Sequence, residues 1–270
     1  MASRTAPFNA VWLSDLHLGS ADCRAEYLSH FLARHPTRTL YLLGDVVDLW
    51  ALRRRLFWPA SHRVVVEQIL ALAAHTRVVY VPGNHDEDFR ALCGRRLLGV
   101  EIRHQAVHRT AGGRRLLLLH GDEFDTLVRA SAWAGRAADL GYELLLSLNA
   151  LGNRARRTLG LPYRWLAQEI KIRLGPARRA IRTFEVAAAR AARRLGLDGV
   201  VCGHIHQPEI RFEEGVLYCN CGDWVESLTA LVEHPSGRLE LLHWGDARRA
   251  LKCERGALAV HASHALSQPT

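Results

Sequence analysis

The chain has 270 residues, 49% apolar and 23% charged, the composition of a soluble globular protein with room for one large domain or one domain carrying an insert. Its 36 basic and 27 acidic residues give a formal charge of +9 with neutral histidines. That surplus favours phosphate-bearing substrates, nucleic acid or an anionic membrane surface without choosing among them. The most apolar stretch, 140–151, is broken by Glu143, Ser147 and Asn149 and is too short to span a bilayer.

In chain order, residues 1–9 carry no apolar core of signal-peptide length, and 9–13 reads as a strand. A helix is expected over 24–35, a strand over 39–43, a helix over 61–74, and strands over 77–81 and 116–119. Leu49, Trp50, Phe57 and Trp58 with Arg53, Arg54 and Arg55 form an apolar-and-basic loop that is expected to wall a substrate site. After Leu195 the strand signals return, at 199–202, 209–212, 216–220, 228–233 and 239–244. Helices alternating with strands, followed by a run of strands, indicate a layered α/β fold. The six cysteines are scattered, with no C-x-x-C pair. They read as reduced, mostly buried thiols in a cytosolic setting. Cys219 and Cys221 share one face of a strand and are expected to pack there.

The middle of the chain differs. From 129 to 195 there is no strand signal, and 154–194 holds twelve basic residues against Glu169 and Glu185. The expected organisation is therefore a core of 1–128 and 196–252, a basic helical cap insert at 129–195, and a loosely held tail at 253–270. In the insert, Tyr163, Trp165, Ile170, Ile172 and Leu174 interleave with Arg164, Lys171 and Arg173. Arginine-rich helices are commonly just solvated faces. The interleaving favours a surface that holds acyl chains beside a diphosphate, or that lies on an anionic inner-membrane leaflet. Arg164, Lys171, Arg173 and Arg178 are the candidate substrate-binding residues.

Five short signatures carry the chemistry: Asp15-Leu-His17, Gly44-Asp45, Gly83-Asn84-His85-Asp86, His120-Gly121-Asp122 and Gly203-His204-Ile-His206. Alone, each has an ordinary explanation as a turn, a capped loop or a surface histidine. Four of them directly follow an apolar strand run, however, and strand ends converge on one rim of an α/β sheet. The set suits two divalent cations. Asp45 would bridge them, Asp15, His17 and His206 would complete one site, and Asn84, His120 and His204 would complete the other. Mixed N/O ligation without thiolates points to Mn²⁺ first, with Fe or Zn²⁺ as alternatives. Two such cations lower the pKa of a shared water and clamp the attacking and leaving oxygens of a displacement at phosphorus.

The five-motif series resembles the calcineurin-like metallophosphoesterase superfamily, over roughly 9–125 and 198–245. That resemblance implies a two-sheet α/β sandwich flanked by helices, with the dimetal centre at one edge. It also implies catalytic roles for His85, which would face the substrate, for Asn84, and for Asp86, which would orient His85. Within the superfamily the chain is similar to the UDP-2,3-diacylglucosamine pyrophosphatase branch, through 14–19, 42–50, 120–125, 203–208 and 220–226. One departure is His85, where the best-characterised members of that branch carry arginine. The expected activity is cleavage of a UDP-linked lipid diphosphate, such as UDP-2,3-diacylglucosamine to lipid X and UMP, by a cytoplasmic enzyme peripheral to the inner membrane. The alternatives are a phosphodiesterase of nucleotides or nucleic acid, against which the few cap aromatics count, and a non-catalytic protein that binds a partner through its cap. The sequence leaves the oligomeric state open.

Overall fold

The computed structural model describes residues 7–127, 175–245 and 249–253. Thirteen strands and four α-helices are found among them: β1 (Ala10–Leu13), α1 (Ala25–Arg34), β2 (Thr39–Leu43), α2 (Leu49–Arg54), α3 (Ala60–Ala73), β3 (Arg77–Val81), β4 (Arg96–Leu97), β5 (Val100–Ile102), β6 (Ala106–Arg109), β7 (Arg115–Leu118), α4 (Gly175–Arg194), β8 (Gly199–Cys202), β9 (Glu209–Glu213), β10 (Val216–Asn220), β11 (Thr229–Glu233), β12 (Leu239–His243) and β13 (Arg249–Cys253). They form two mixed sheets with flanking helices, the α/β sandwich that the sequence leads one to expect. One sheet runs β13-β12-β11-β1-β2-β3-β5-β4 and the other β6-β7-β8-β10-β9.

What matters for the site is direction. β1, β2, β3 and β5 are parallel neighbours, as are β7, β8 and β10. Parallel strands end on the same side, so the residues that follow β1, β2 and β3 gather at one rim of their sheet, and those that follow β7 and β8 at one rim of the other. Alternation along each strand builds the layers. Val11, Leu13, Val78 and Tyr80 face α1 and α3. Trp12, Tyr41, Val79 and Val81 meet Leu116, Leu118, Val201 and Leu217 between the sheets, and Leu117, Leu119 and Val200 turn to α4. Period-two alternation with both faces apolar is the signature of a sheet covered on both sides. Cys219 and Cys221 pack together in the inter-sheet layer as free thiols.

Three differences from the sequence reading have physical reasons. Residues 49–54 are a short helix rather than a loop, because the Asp48 side chain accepts the Ala51 N–H at 2.8 Å and caps it. β4, β5, β6 and β13 carry charges in short runs such as Val-Glu-Ile, too brief for a periodicity signal, and are formed by pairing with their neighbours. Finally, α4 lies within the segment expected as cap, yet Phe184, Ala188, Ala189 and Ala192 bury one face of it against β8 and β10. Part of its charge is internally matched, Arg190 pairing with Glu214 at 2.8 Å and Arg182 with Glu213. This helix is thus a layer of the core, and Arg178 is an exposed residue near its start. Arg164, Lys171, Arg173 and most of the expected cap lie outside the described residues, as do residues 254–270 of the expected tail. No helix among the described residues is long and apolar enough to cross a membrane.

Candidate metal centre

Asp15 and His17 follow β1, Asp45 follows β2, Asn84 and His85 follow β3, His120 follows β7, and His204 and His206 follow β8. Those turns place the ligand types close together at a cost. Asp15, His17, Asp45, His204 and His206 all have φ between 52° and 67°, a left-handed region that costs a side-chain-bearing residue on the order of 1–2 kcal/mol. Strain gathered on these residues is the pattern of a site held in place by the fold around it.

The side chains fall into two groups. Ligand atoms of Asp15, His17 and His206 lie within 4.8 Å of one another, and so do those of Asp45, His120 and His204. Asp45 stands between them: its Oδ2 is 3.4 Å from His120 Nε2, 3.9 Å from His17 Nε2 and 4.0 Å from His85 Nε2. Asn84 joins the second group through its Oδ1, 3.3 Å from His120 Nε2. Asp15 spans both groups, with Oδ1 3.1 Å from His206 Nε2 and Oδ2 accepting the His204 N–H at 3.0 Å.

Outer partners fix which nitrogen of each imidazole looks inward. His120 Nδ1–H donates to the Leu43 carbonyl at 2.8 Å, and His204 Nε2–H donates to Asp125 Oδ1 at 2.7 Å. His17 Nδ1–H donates to Asp48 Oδ2 at 3.1 Å. That leaves His17 Nε2 as a lone-pair atom, buried and without a hydrogen-bond partner among the described residues. A buried, unpartnered imidazole nitrogen facing carboxylates is what a cation site requires. The backbone fits tightly around the cluster. A Cβ on Gly44 would sit 2.1 Å from His120 Nδ1, and one on Gly203 would sit 2.3 Å from Asp15 Oδ2. The donor set therefore fits two hard-to-borderline divalent ions.

Charge balance follows the same geometry. Burial pushes the carboxyls of Asp15 and Asp45 up, but the facing imidazoles of His206, His120 and His17 outweigh it and hold both below the usual carboxylate range. Asp48 is held low in the same way, by its bonds from His17 and His85. Burial lowers His120 and His85, yet the facing carboxylates win and raise both above the ordinary histidine value.

The role expected for Asp86 belongs to a different residue. His85 Nδ1–H donates to Asp48 Oδ1 at 3.0 Å. Asp86 is fully buried and accepts the backbone N–H groups of Gly83, Asp45, Val46 and Val47, so it ties the β2 and β3 loops together instead of orienting His85. Asp48 thus holds the imidazoles of both His85 and His17 while capping α2. Its sequence signals are its place three residues after Asp45 and its position inside the 42–50 stretch that carries the branch resemblance. Trp50, 40% exposed on α2, lays its ring against His85 with centroids 4.2 Å apart, so the expected substrate wall borders the site. Asp125 is signalled only as the end of the 120–125 stretch that carries the branch resemblance.

The calcineurin-like phosphoesterase family model matches residues 8–208. The UDP-2,3-diacylglucosamine hydrolase of Chromohalobacter salexigens is 30% identical over 207 residues, 73% of this chain and 80% of its own length. That of Ralstonia nicotianae is 27% identical over 238 residues, 79% of this chain and 82% of its own. Among solved structures, vacuolar protein sorting 29 from Cryptosporidium parvum aligns over 89% of this chain and 94% of its own, at 14% identity and a TM-score of 0.46.

Proposed function

The chain belongs to the calcineurin-like phosphoesterase family, and from that premise we propose that it is a dinuclear-metal phosphohydrolase acting on a nucleotide-linked lipid diphosphate of the UDP-2,3-diacylglucosamine type. The observation that carries the metal part is Asp45, whose one carboxylate lies between two groups of histidine and carboxylate ligands. The substrate class is supported by the relatives' activity, and by Trp50 beside His85 with Arg53 and Arg54 on the same short helix. A cytoplasmic setting at the inner-membrane face goes with this reading, since acyl chains draw such a substrate to a bilayer.

When bound, two divalent cations, Mn²⁺ first among the candidates, supply an activated water and neutralise charge on the phosphoryl oxygens. The protein's own groups do the rest. Asp15, His17 and His206 would hold one cation, Asn84, His120 and His204 the other, and Asp45 both. Asp48 orients the His85 ring by accepting from Nδ1, so that Nε2 points toward Asp45 and the rim. Burial works against protonation, but those carboxylates raise the His85 pKa above the ordinary histidine value, favouring the protonated ring, which carries a hydrogen on Nε2 as well. It can then donate from Nε2 to a phosphoryl oxygen as charge builds there, or pass that proton to the leaving oxygen as the P–O bond breaks and the water oxygen bonds to phosphorus. Asn84 presents its amide oxygen 3.3 Å from His120 Nε2.

The test is hydrolysis with Mn²⁺ supplied, comparing UDP-2,3-diacylglucosamine, bis-p-nitrophenyl phosphate and single-stranded DNA, with Asp45→Ala and His85→Ala alongside. Release of UMP from the lipid nucleotide, lost in both variants, is expected. Cleavage of the generic diester or of DNA alone would keep the phosphoesterase chemistry and overturn the substrate. No cleavage of any of them by metal-loaded protein would overturn the enzymatic reading.

A further inference from the structure

His204 differs from His120, His17 and His85 in what holds it, while His206 Nδ1 stands 3.9 Å from Asp223 Oδ2, beyond hydrogen-bond distance. His120 leans on a neutral backbone carbonyl, and His17 shares the Asp48 carboxylate with His85. His204 has a carboxylate partner from outside the five motifs, Asp125, whose Oδ1 lies 2.7 Å from Nε2. A carboxylate at that distance requires the hydrogen on Nε2 and leaves Nδ1 as the lone-pair atom. Behind the ring stands Phe184, with centroids 6.0 Å apart and planes tilted by 32°, and His120 meets it edge-on at 5.1 Å.

These two neighbours occupy particular places in the chain. Asp125 opens the helical turn 125–127. Phe184 lies on α4, packed against β8 and β10 and fully buried. The two stretches of core that flank residues 128–174 therefore both touch one imidazole. Asp125 is not there for packing, since its side chain is 37% exposed.

We propose that Asp125, with Phe184 behind the ring, is a positioning residue that sets the affinity of the Asp45–His120–His204 cation site selectively, leaving the Asp15–His17–His206 site to Asp48. The proposal rests on the dimetal reading above. A carboxylate behind a ligand imidazole fixes its orientation and raises its basicity, and removing one typically weakens metal binding about 10–100-fold. Partial exposure of Asp125 puts the effect toward the lower end of that range.

The experiment uses the full chain, stripped of metal and titrated with Mn²⁺ by calorimetry. Electron paramagnetic resonance at two equivalents separates a coupled Mn pair from isolated ions. Wild type is expected to bind two ions and show the coupled spectrum. Asp125→Ala is expected to keep one ion at wild-type affinity, to bind the other about tenfold or more weakly, and to show isolated Mn²⁺ at sub-saturating metal. Asp125→Asn retains an acceptor oxygen and is expected to recover most of the loss. Two ions bound by Asp125→Ala as tightly as by wild type would overturn the proposal while leaving the dimetal reading intact. So would equal weakening of both ions together with a lowered melting temperature, which would mark a general structural role. A wild type that binds no pair of ions would overturn the dimetal reading and this proposal with it.

Discussion

Replacing Asp48 separates three jobs that one carboxylate performs. Its Oδ2 accepts from His17 Nδ1 at 3.1 Å, and its Oδ1 accepts from His85 Nδ1 at 3.0 Å and from the Ala51 N–H at 2.8 Å. Asp48→Ala loses all three. The helix cap is worth about 1 kcal/mol, the support behind His17 about 10–100-fold in cation affinity, and a positioned proton donor about 10²–10⁴-fold in rate. Asp48→Asn divides them by geometry. With two donors on the Oδ1 side, the amide oxygen will stay there and the NH₂ will face His17 Nδ1. That contact favours the hydrogen on His17 Nε2, the atom needed for a cation. The asparagine variant is therefore expected to need about tenfold more Mn²⁺ than wild type yet to regain most of its kcat at saturation. The alanine variant should stay at least about 10²-fold slow at any Mn²⁺ concentration. The assay is kcat against Mn²⁺ concentration for bis-p-nitrophenyl phosphate and for UDP-2,3-diacylglucosamine. An Asp48→Ala enzyme that came within about threefold of wild type at saturating metal would refute the assignment of Asp48 as the residue that positions His85.

Three further predictions concern the frame of the site. Gly44→Ala puts a Cβ 2.1 Å from His120 Nδ1 at a φ of 79°, so urea unfolding is expected to show a loss of roughly 2–4 kcal/mol together with lost metal binding; an unchanged midpoint would contradict the close approach. Asp86→Ala strands the buried amides it satisfies, each worth about 1–3 kcal/mol, and is expected to unfold at markedly lower urea. A variant of full stability but low kcat would restore Asp86 to the orienting role. For the metal-stripped protein, the raised His120 and His85 contribute stability that is present below the ordinary histidine value of about 6.5 and lost as pH rises through their folded values. The lowered Asp15, Asp45 and Asp48 contribute stability present above about 3.9 and lost as pH falls through their folded values. Stability in chelator should thus decline on the alkaline side, and added Mn²⁺, which competes with the imidazole protons, should flatten that limb. A stability that climbs from pH 6 to 9 in chelator would run against the coupled charges described here.

The convergence of the expected ligand residues was legible because each follows a strand, and strand ends are what a sequence places best. Once β1, β2, β3, β7 and β8 are read as apolar runs that stop at a polar turn, sheet topology brings their last residues to one rim. Side-chain partners beyond those turns obey no such rule. Asp48 stands three residues past a motif and Asp86 ends one, both are buried carboxylates, and the motif pattern favoured the neighbour in sequence, Asp86. What decides between them is the turn after β3, which sends the Asp86 carboxylate back to the amides of the β2 loop and leaves His85 Nδ1 facing α2. That direction is set by left-handed backbone at Asp45 and by the missing Cβ of Gly83, 2.3 Å from Asp45 Oδ1 if present. Charge misled for a related reason. The arginines of α4 read as free cations along the chain, but Glu213 and Glu214 approach from β9 and the turn that follows it to pair with Arg182 and Arg190, while Phe184 and its alanines take the opposite side of the helix into the core. Net charge counts residues, and it is the tertiary partner that determines which of them still face a phosphate. The cations near the motifs in sequence include Arg53 on α2 and Arg90 after β3. Each is held by a carboxylate at 2.6 Å, Asp88 and Asp122 respectively, so a diphosphate that recruited either would have to displace an acid already in place.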